Sequence, residues 1–363
     1  MPRITLSRRA RFVLGGLALI IAPLVAQSFG LAWVRITDLA LLYVMLALGL
    51  NIVVGEAGLL DLGYIAFYAV GAYLFALLAS PHLTDTFAAW QAAFPAGLHV
   101  SVWAAIPLAA CVAALAGVLL GLPTLKLRGD YLAIVTLGFG EIIRVFMSNL
   151  DAPVNITNGP KGIDQIDALR LFGWDMSQSI HVGPLDIASV TQYYYVFLLL
   201  VLVAVVVCMR LQSSRVGRAW RAIREDEIAA KACGLNTRNL KLLAFAMGAT
   251  FGGVAGVLFA AFQGFVSPES FSLQESVTII AMIVLGGLGH VPGVIVGGFV
   301  LAALPEVLRY VGDPLQELSG GRIDAGILRQ LLIALAMIGI MLWRPKGLWP
   351  APEQGGAAAQ DEA

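Results

Sequence analysis

Long stretches without a single ionisable acid or base recur along this chain. Thr191–Met209 and Leu242–Pro268 contain no Asp, Glu, Lys or Arg at all. Hydrocarbon offers no partner to backbone N–H and C=O groups, so runs of about 20 such residues fold as helices that satisfy themselves. Of the 363 residues, 59% are hydrophobic and only 13% charged, against about 25% charged in a soluble domain. A water-soluble enzyme is excluded, and the lipid bilayer is the first partner. Twenty-three basic and twenty-three acidic residues cancel, so no bulk field draws nucleic acid. Cys111, Cys208 and Cys233 lie far apart, as do His82, His99, His181 and His290. Neither a disulfide framework nor a metal site follows from that spacing.

Ten membrane segments are expected. They are Phe12–Val34, Leu39–Gly55, Leu62–Thr84, a helix within Val102–Leu122, Tyr131–Leu150, Thr191–Met209, Leu242–Pro268, two short helices within Ser276–Pro305, and Ala325–Trp343. Gly286–Gly293, GGLGHVPG, reads as a tight turn between the two short helices, which either span or form a re-entrant hairpin. The basic start MPRITLSRRAR precedes an uncleaved span, because the small-residue site near Ala26 is poor for signal cleavage. Loop charges set the orientation. Arg210–Lys241 carries eight Lys/Arg against Glu225, Asp226 and Glu227, whereas Ser148–Val190 carries five Asp against Lys161 and Arg170. The positive-inside rule then places both termini and 210–241 in the cytoplasm and 151–190 outside. Five spans per half start the second half from the opposite face, so an inverted pseudo-repeat is expected. The fold class is all-α and polytopic. Residues 1–349 form one transmembrane domain, and 350–363 form a disordered cytoplasmic tail.

Within the basic loop, Val216, Ala219, Trp220 and Ile223 follow a helical stripe. Arg221 is placed to reach Glu225, and Glu227 to reach Lys231. Gly234 suits a left-handed C-terminal cap. The expectation is one amphipathic helix, Gly217–Cys233, lying on the cytoplasmic face. It either docks in a groove of a partner or rests against anionic lipid.

The segment GRAWRAIREDEIAAKACGLN (Gly217–Asn236) resembles the coupling loop of permeases in branched-chain amino acid ABC importers. So do Gly49–Leu74, Leu127–Val145, Gln263–Ser276 and WRPKGL (Trp343–Leu348). The resemblance is closest to the M-type subunit and runs from about Ile36 to Trp349. It implies a multi-pass permease in a bacterial inner membrane. Its implied partners are a second permease of similar fold, two cytoplasmic ABC ATPases and an external (periplasmic) amino-acid-binding protein. The chain itself holds no cofactor and is no enzyme; ATP and Mg belong to the ATPases. The implied cargo is leucine, isoleucine or valine, moved by alternating access. A urea or short-amide permease shares the architecture, and an ion-coupled secondary transporter is the rival from another class.

The importer pattern Glu-Ala-Ala, three residues, Gly has Ile228 in its glutamate register, followed by Ala229 and Ala230. Expected coupling residues are Gly217, Arg218, Arg221, Ala222, Arg224, Glu225, Asp226, Glu227, Ala230 and Gly234, with Ala222, Ala230 and Gly234 small enough for a close fit. Leu318–Arg322, LSGGR, differs by one residue from an ATPase signature, yet the chain has no Gly-Lys dipeptide and hence no phosphate loop. Polar candidates for the path are Asn51, Glu56, Asp61, Tyr64, Glu141, Arg144 and Asn158. Glu56 and Asp61 sit in a Gly-rich break, Gly55 to Gly63. Gly248, Gly252 and Gly256, and again Gly293 and Gly297, repeat at four-residue spacing for close helix packing.

Single cysteines at Asp164 and Arg221, in an otherwise cysteine-free chain, test the orientation. A membrane-impermeant thiol reagent added to intact cells should label Asp164→Cys and spare Arg221→Cys; the reverse pattern inverts the topology.

Overall fold

The computed structural model describes residues 19–349, apart from 29, 96, 128, 172–173, 183–184, 319–324 and 345–346. The apolar runs fold as α1 (Leu19–Ser28), α2 (Leu31–Asn51) and α3 (Ile65–Ala79), then the short α4 (His82–Thr86) and α5 (Ala88–Ala93). Next come α6 (Val102–Thr124), α7 (Asp130–Asn149) and α8 (Ser189–Ser213). The basic loop forms α9 (Arg215–Glu225) and α10 (Glu227–Ala232). The chain finishes with α11 (Thr237–Gln263), α12 (Leu273–Gly286), α13 (Val291–Leu318) and α14 (Ala325–Trp343). Among the described residues, six helices are long and apolar enough to cross a membrane, and four more are apolar but shorter. The chain is a polytopic helical membrane protein.

Helix α11 is the axle of the bundle, packed against α2, α3 and α6. Lipid tails are as apolar as leucine, so nothing hydrophobic pushes these helices together; van der Waals contact does. Glycine makes that contact close. A Cβ on Gly253 would lie 2.6 Å from Cβ of Ala113 and 2.8 Å from the carbonyl oxygen of Ala109, both on α6. On Gly256 it would land on the carbonyl oxygen of Tyr68 on α3, and on Gly248 it would meet Gly49 on α2 at 3.0 Å. Gly252 faces Phe67 Cβ at 3.0 Å. Gly293 and Gly297 do the same for the α12–α13 pair, against the carbonyls of Gly286 and Met282.

Helices α3 and α12 are short, with 15 and 14 residues. Each follows a long helix and an irregular stretch. After α2 a π-helical turn, Ile52–Glu56, leads into 57–64; after α11 comes Gly264–Ser272, with a 3-10 turn at Pro268–Phe271. The starts of the two short helices meet, with Ile65 N–H donating to Ser276 Oγ at 3.3 Å. The order long helix, break, short helix therefore occurs in both halves.

Several expected boundaries move. Leu31–Val34 belong to α2, because Gly30, at φ 125°, starts a new helix there; residues 12–18 lie outside the described part. The second of the two short helices expected in Ser276–Pro305 is long, since α13 runs through Pro305 to Leu318. Most of LSGGR, and Pro345 and Lys346 of WRPKGL, lie outside the described residues. The loop 151–190 forms two hairpins, β1 (Arg170–Leu171) with β2 (Trp174–Asp175) and β3 (Ile180–Val182) with β4 (Leu185–Ile187). It is tied to the bundle by a bridge between Ile163 and Val266 and by His99 Nδ1 against Asp167 Oδ2 at 2.6 Å.

The glycine contacts can be tested by contrast. Gly253→Leu forces α6 and α11 apart and should cost about 1–3 kcal/mol or more. Gly339→Ala on α14, where nothing lies within 4 Å, should be neutral or slightly stabilising. Thermal unfolding in detergent reads both.

Candidate coupling site

The basic loop folds as two helices rather than the single one its periodicity suggested. Ser214 caps α9, its Oγ accepting from Gly217 N–H at 3.1 Å. Trp220 is fully buried and its Nε1–H donates to the carbonyl of Leu240 at 2.7 Å, which anchors α9 to α11. Asp226 ends α9. It adopts an extended backbone, φ −153° and ψ 111°, and its carboxylate accepts from Ile228 N–H at 2.7 Å and Ala229 N–H at 3.1 Å. An aspartate just before a helical run is a strong N-cap, and that signal marks the break. Gly234, at φ +83°, closes α10: Leu235 N–H donates to the carbonyl of Ala230 at 3.1 Å and Gly234 N–H to that of Lys231 at 2.9 Å.

A half-buried carboxylate fixes α10. Glu227 meets Lys231 at 3.0 Å and Lys241 at 2.9 Å, and the Lys241 side chain is only 7% exposed. Burial raises the carboxyl's pKa, but the hydrogen bonds from Lys241 and Lys231 outweigh it and hold the group down at about 2.

Ala230, read as a contact for a partner, is buried inside the protein. The same turn presents Ile228 outward instead, 69% exposed, with Ala229 and Ala232 beside it in the open. Helical geometry explains the swap: Trp220 and Lys241 fix which side of the loop faces the bundle, and Ala230 falls on that side. Arg221 does not reach Glu225; its guanidinium donates to the carbonyl of Gln212 at 3.1 Å. Arg218 donates to the carbonyl of Ser213 at 2.9 Å. Gly217 is buried, and an added Cβ there would land on the carbonyl oxygen of Leu211; Ala222 is half-buried, and Glu225 is exposed.

The loop is bonded to the membrane-embedded breaks. Arg224 donates to the carbonyl of Gly55 in the π-helical turn. Gln212 Nε2 donates to Glu56 Oε1 at 2.6 Å and to the carbonyl of Gly289 at 3.1 Å. Gly289 N–H in turn donates to Asn51 Oδ1 at 2.9 Å. One cluster thus joins the end of α8, the start of the loop, the break after α2 and the α12–α13 turn. The segment after α14 holds that turn from the other side. Leu348 and Trp349 N–H donate to the carbonyls of Leu285 and Gly286 at 2.7 and 3.1 Å, and His290 Nδ1 lies 2.9 Å from the carbonyl oxygen of Trp349.

Of the polar path candidates, the structure brings Asn51 and Glu56 into this cluster and leaves the others apart. Asp61 is buried near Thr136 and accepts from Gly63 N–H at 2.9 Å. Tyr64, fully buried, donates to the carbonyl of Gly248 at 3.0 Å. Glu141 and Arg144 pair at 2.5 Å on α7. Asn158 shapes the loop after α7, donating to the carbonyl of Gly162 at 2.8 Å. Gln212, Lys241 and Gly289 were not singled out from the sequence. Each is an unremarkable residue locally, and only the meeting of three distant segments gives it a role.

A bundle of membrane-crossing helices with broken, short helices at its heart and an anchored amphipathic loop bonded to those breaks has the build of a transport permease. Residues 33–341 match the family described as the branched-chain amino acid transport system / permease component, and the chain belongs to that family. It is 43% identical over 347 residues to the high-affinity branched-chain amino acid transport system permease protein LivM of Escherichia coli K12, covering 91% of this chain and 74% of that one. The probable LivM of Methanocaldococcus jannaschii is 25% identical, with 85% and 90% covered. LivH of Escherichia coli K12 is also 25% identical, over 71% of this chain and 79% of its own length. No solved structure matches the chain.

The Glu227 ion pair has a pH signature. Its folded-state pKa lies below the ordinary 4.5, so its stabilisation is complete above about pH 4.5 and drains away as the pH falls toward 2. Thermal midpoints in detergent should drop across that window, and Glu227→Gln should flatten the drop. At pH 7, Lys241→Met takes the buried cation away from the half-buried carboxylate and should cost about 3 kcal/mol.

Proposed function

We propose that this chain is the membrane-spanning permease subunit of an ATP-driven importer of branched-chain amino acids. Membership of the permease family supports the class, and the LivM relatives' names support the cargo over urea or short amides. The assembly would comprise a second permease of similar fold, two cytoplasmic ATPases that hold ATP and Mg, and an external binding protein. The resemblance of the chain to both LivM and LivH fits a pair of related permeases. This chain does no chemistry on its cargo; it moves it.

The observation that carries the mechanism is the exposed Ile228 face on an otherwise anchored loop. A leucine-sized apolar side chain standing out on a basic loop is a knob for an apolar groove on a partner. An ATPase moving under α10 would push on Ile228, Ala229 and Ala232. Trp220 and the Glu227–Lys241 pair make α9 and α10 move with the foot of α11. Arg224 and Gln212 pass the displacement to Gly55, Glu56 and Gly289, and so to the breaks that precede α3 and follow α12. Rocking of these short helices would open the path alternately to each side.

Ile228→Asp and Ala232→Trp test the contact, since both side chains face away from the bundle and leave its packing alone. Each should weaken co-purification of the ATPases at least tenfold and depress cargo-stimulated hydrolysis in the reconstituted complex. If both assemble and couple like the parent, the loop rests on lipid and the coupling role fails.

A further inference from the structure

Three charged groups meet on the open side of α7, outside the coupling cluster. Glu141 and Arg144 sit on one face of α7, twelve and fifteen residues into a twenty-residue helix. The guanidinium spans them, with Nε 3.1 Å from both Glu141 oxygens and Nη2 at 2.5 Å. Its Nη1 lies 3.9 Å from Glu269 in the 3-10 turn that precedes α12. The group is not sealed: Glu141 is 44% exposed, Arg144 27% and Glu269 79%. Charges at that depth do not face hydrocarbon, where each is costly; they line water or a partner. One turn below Glu141 on the same face is Gly138, where an added Cβ would meet nothing within 4 Å. The open space thus continues past the charges along the helix. Helix α7 is also the least buried of the six long apolar helices, at 22%.

A pair that served only to brace α7 would need neither the third charge nor the open space. Arg144 uses one edge of its planar fork on Glu141 and turns another toward Glu269 at 3.9 Å, longer than a hydrogen bond, so that edge can take a further acceptor. Two carboxylates flanking one guanidinium present both signs of charge within a few ångströms. That arrangement matches a small molecule that carries a carboxylate and an ammonium on adjacent atoms.

We propose that Glu141, Arg144 and Glu269 form an intramembrane station for the charged head of a zwitterionic α-amino acid. The cargo's carboxylate takes a bidentate bond from Arg144, and its ammonium lies against Glu141 and Glu269. The exposed side chains of Leu273 and Val277 on the adjoining α12 give the cargo's branched apolar side chain a surface. The station rests on the amino-acid reading above and adds to it a place where this chain itself touches cargo.

The test is leucine uptake into liposomes by the complete reconstituted complex, with assembly of each variant checked by size exclusion. Arg144→Gln should cut uptake at least tenfold with a raised KM. Arg144→Lys, which keeps the charge and loses the fork, should fall between it and the parent. Glu269→Gln, at a residue too exposed to matter for folding, should also raise KM. The reversed pair, Glu141→Arg with Arg144→Glu, keeps a helix ion pair and should still fail. Parent-like uptake and KM in the Gln variants, or full recovery by the reversed pair, overturns the station and leaves a structural brace. A parent complex that takes up no amino acid at all would instead overturn the function assigned above.

Discussion

Backbone-to-backbone contact at the glycines of α11 is the constraint on which the remaining structure depends. In a bilayer, helices gain nothing by hiding leucines from one another, so the contact distance itself decides which helices associate. Gly248, Gly252, Gly253 and Gly256 let α11 touch α2, α3 and α6 on different sides. With those three helices gathered on a common axis, the irregular segments 52–64 and 264–272 are brought to the interior. Irregular backbone is tolerated at membrane depth only where protein or a water-lined cavity surrounds it. The breaks exist because the packing around α11 shelters them.

Polar groups then do what apolar contact cannot, which is to specify how the sheltered breaks relate to the surface loop. Asn51, Glu56 and Gln212 are all withdrawn from water to some degree, and their hydrogen bonds to backbone groups of Gly289 and to one another are directional. Such networks fix geometry strongly, because a half-satisfied one in a low-dielectric setting is worse than none.

The helical class, the positions of most long helices and the Gly-rich break after α2 were legible in the sequence, because uncharged length and glycine have one dominant meaning in hydrocarbon. Glu141 with Arg144, Glu227 with Lys231 and the cap at Gly234 followed from spacing alone. The turn at Asp226 was legible but misread, since the apolar stripe of α9 masked a cap whose neighbours continue in helical register. Facing was not legible: Ala230 and Ile228 differ by two positions, and only the burial of Trp220 and Lys241, supplied by α11, decides which of them points away. Nor was the role of Gln212, whose partners lie 156 and 77 positions away. The Arg221–Glu225 pair failed for a related reason, since a carbonyl at the end of α8 lay nearer the guanidinium than the exposed carboxylate did.

The single carboxamide of Gln212 has a kinematic consequence. Because one nitrogen holds both Glu56 and Gly289, the two irregular elements are geared to the same tooth. Travel of the α8 terminus that keeps both bonds carries the two elements along together. Moving one element while the other stays still breaks one of the two bonds, at a cost of about 1 kcal/mol. The linkage therefore favours joint travel of the two elements over separate travel.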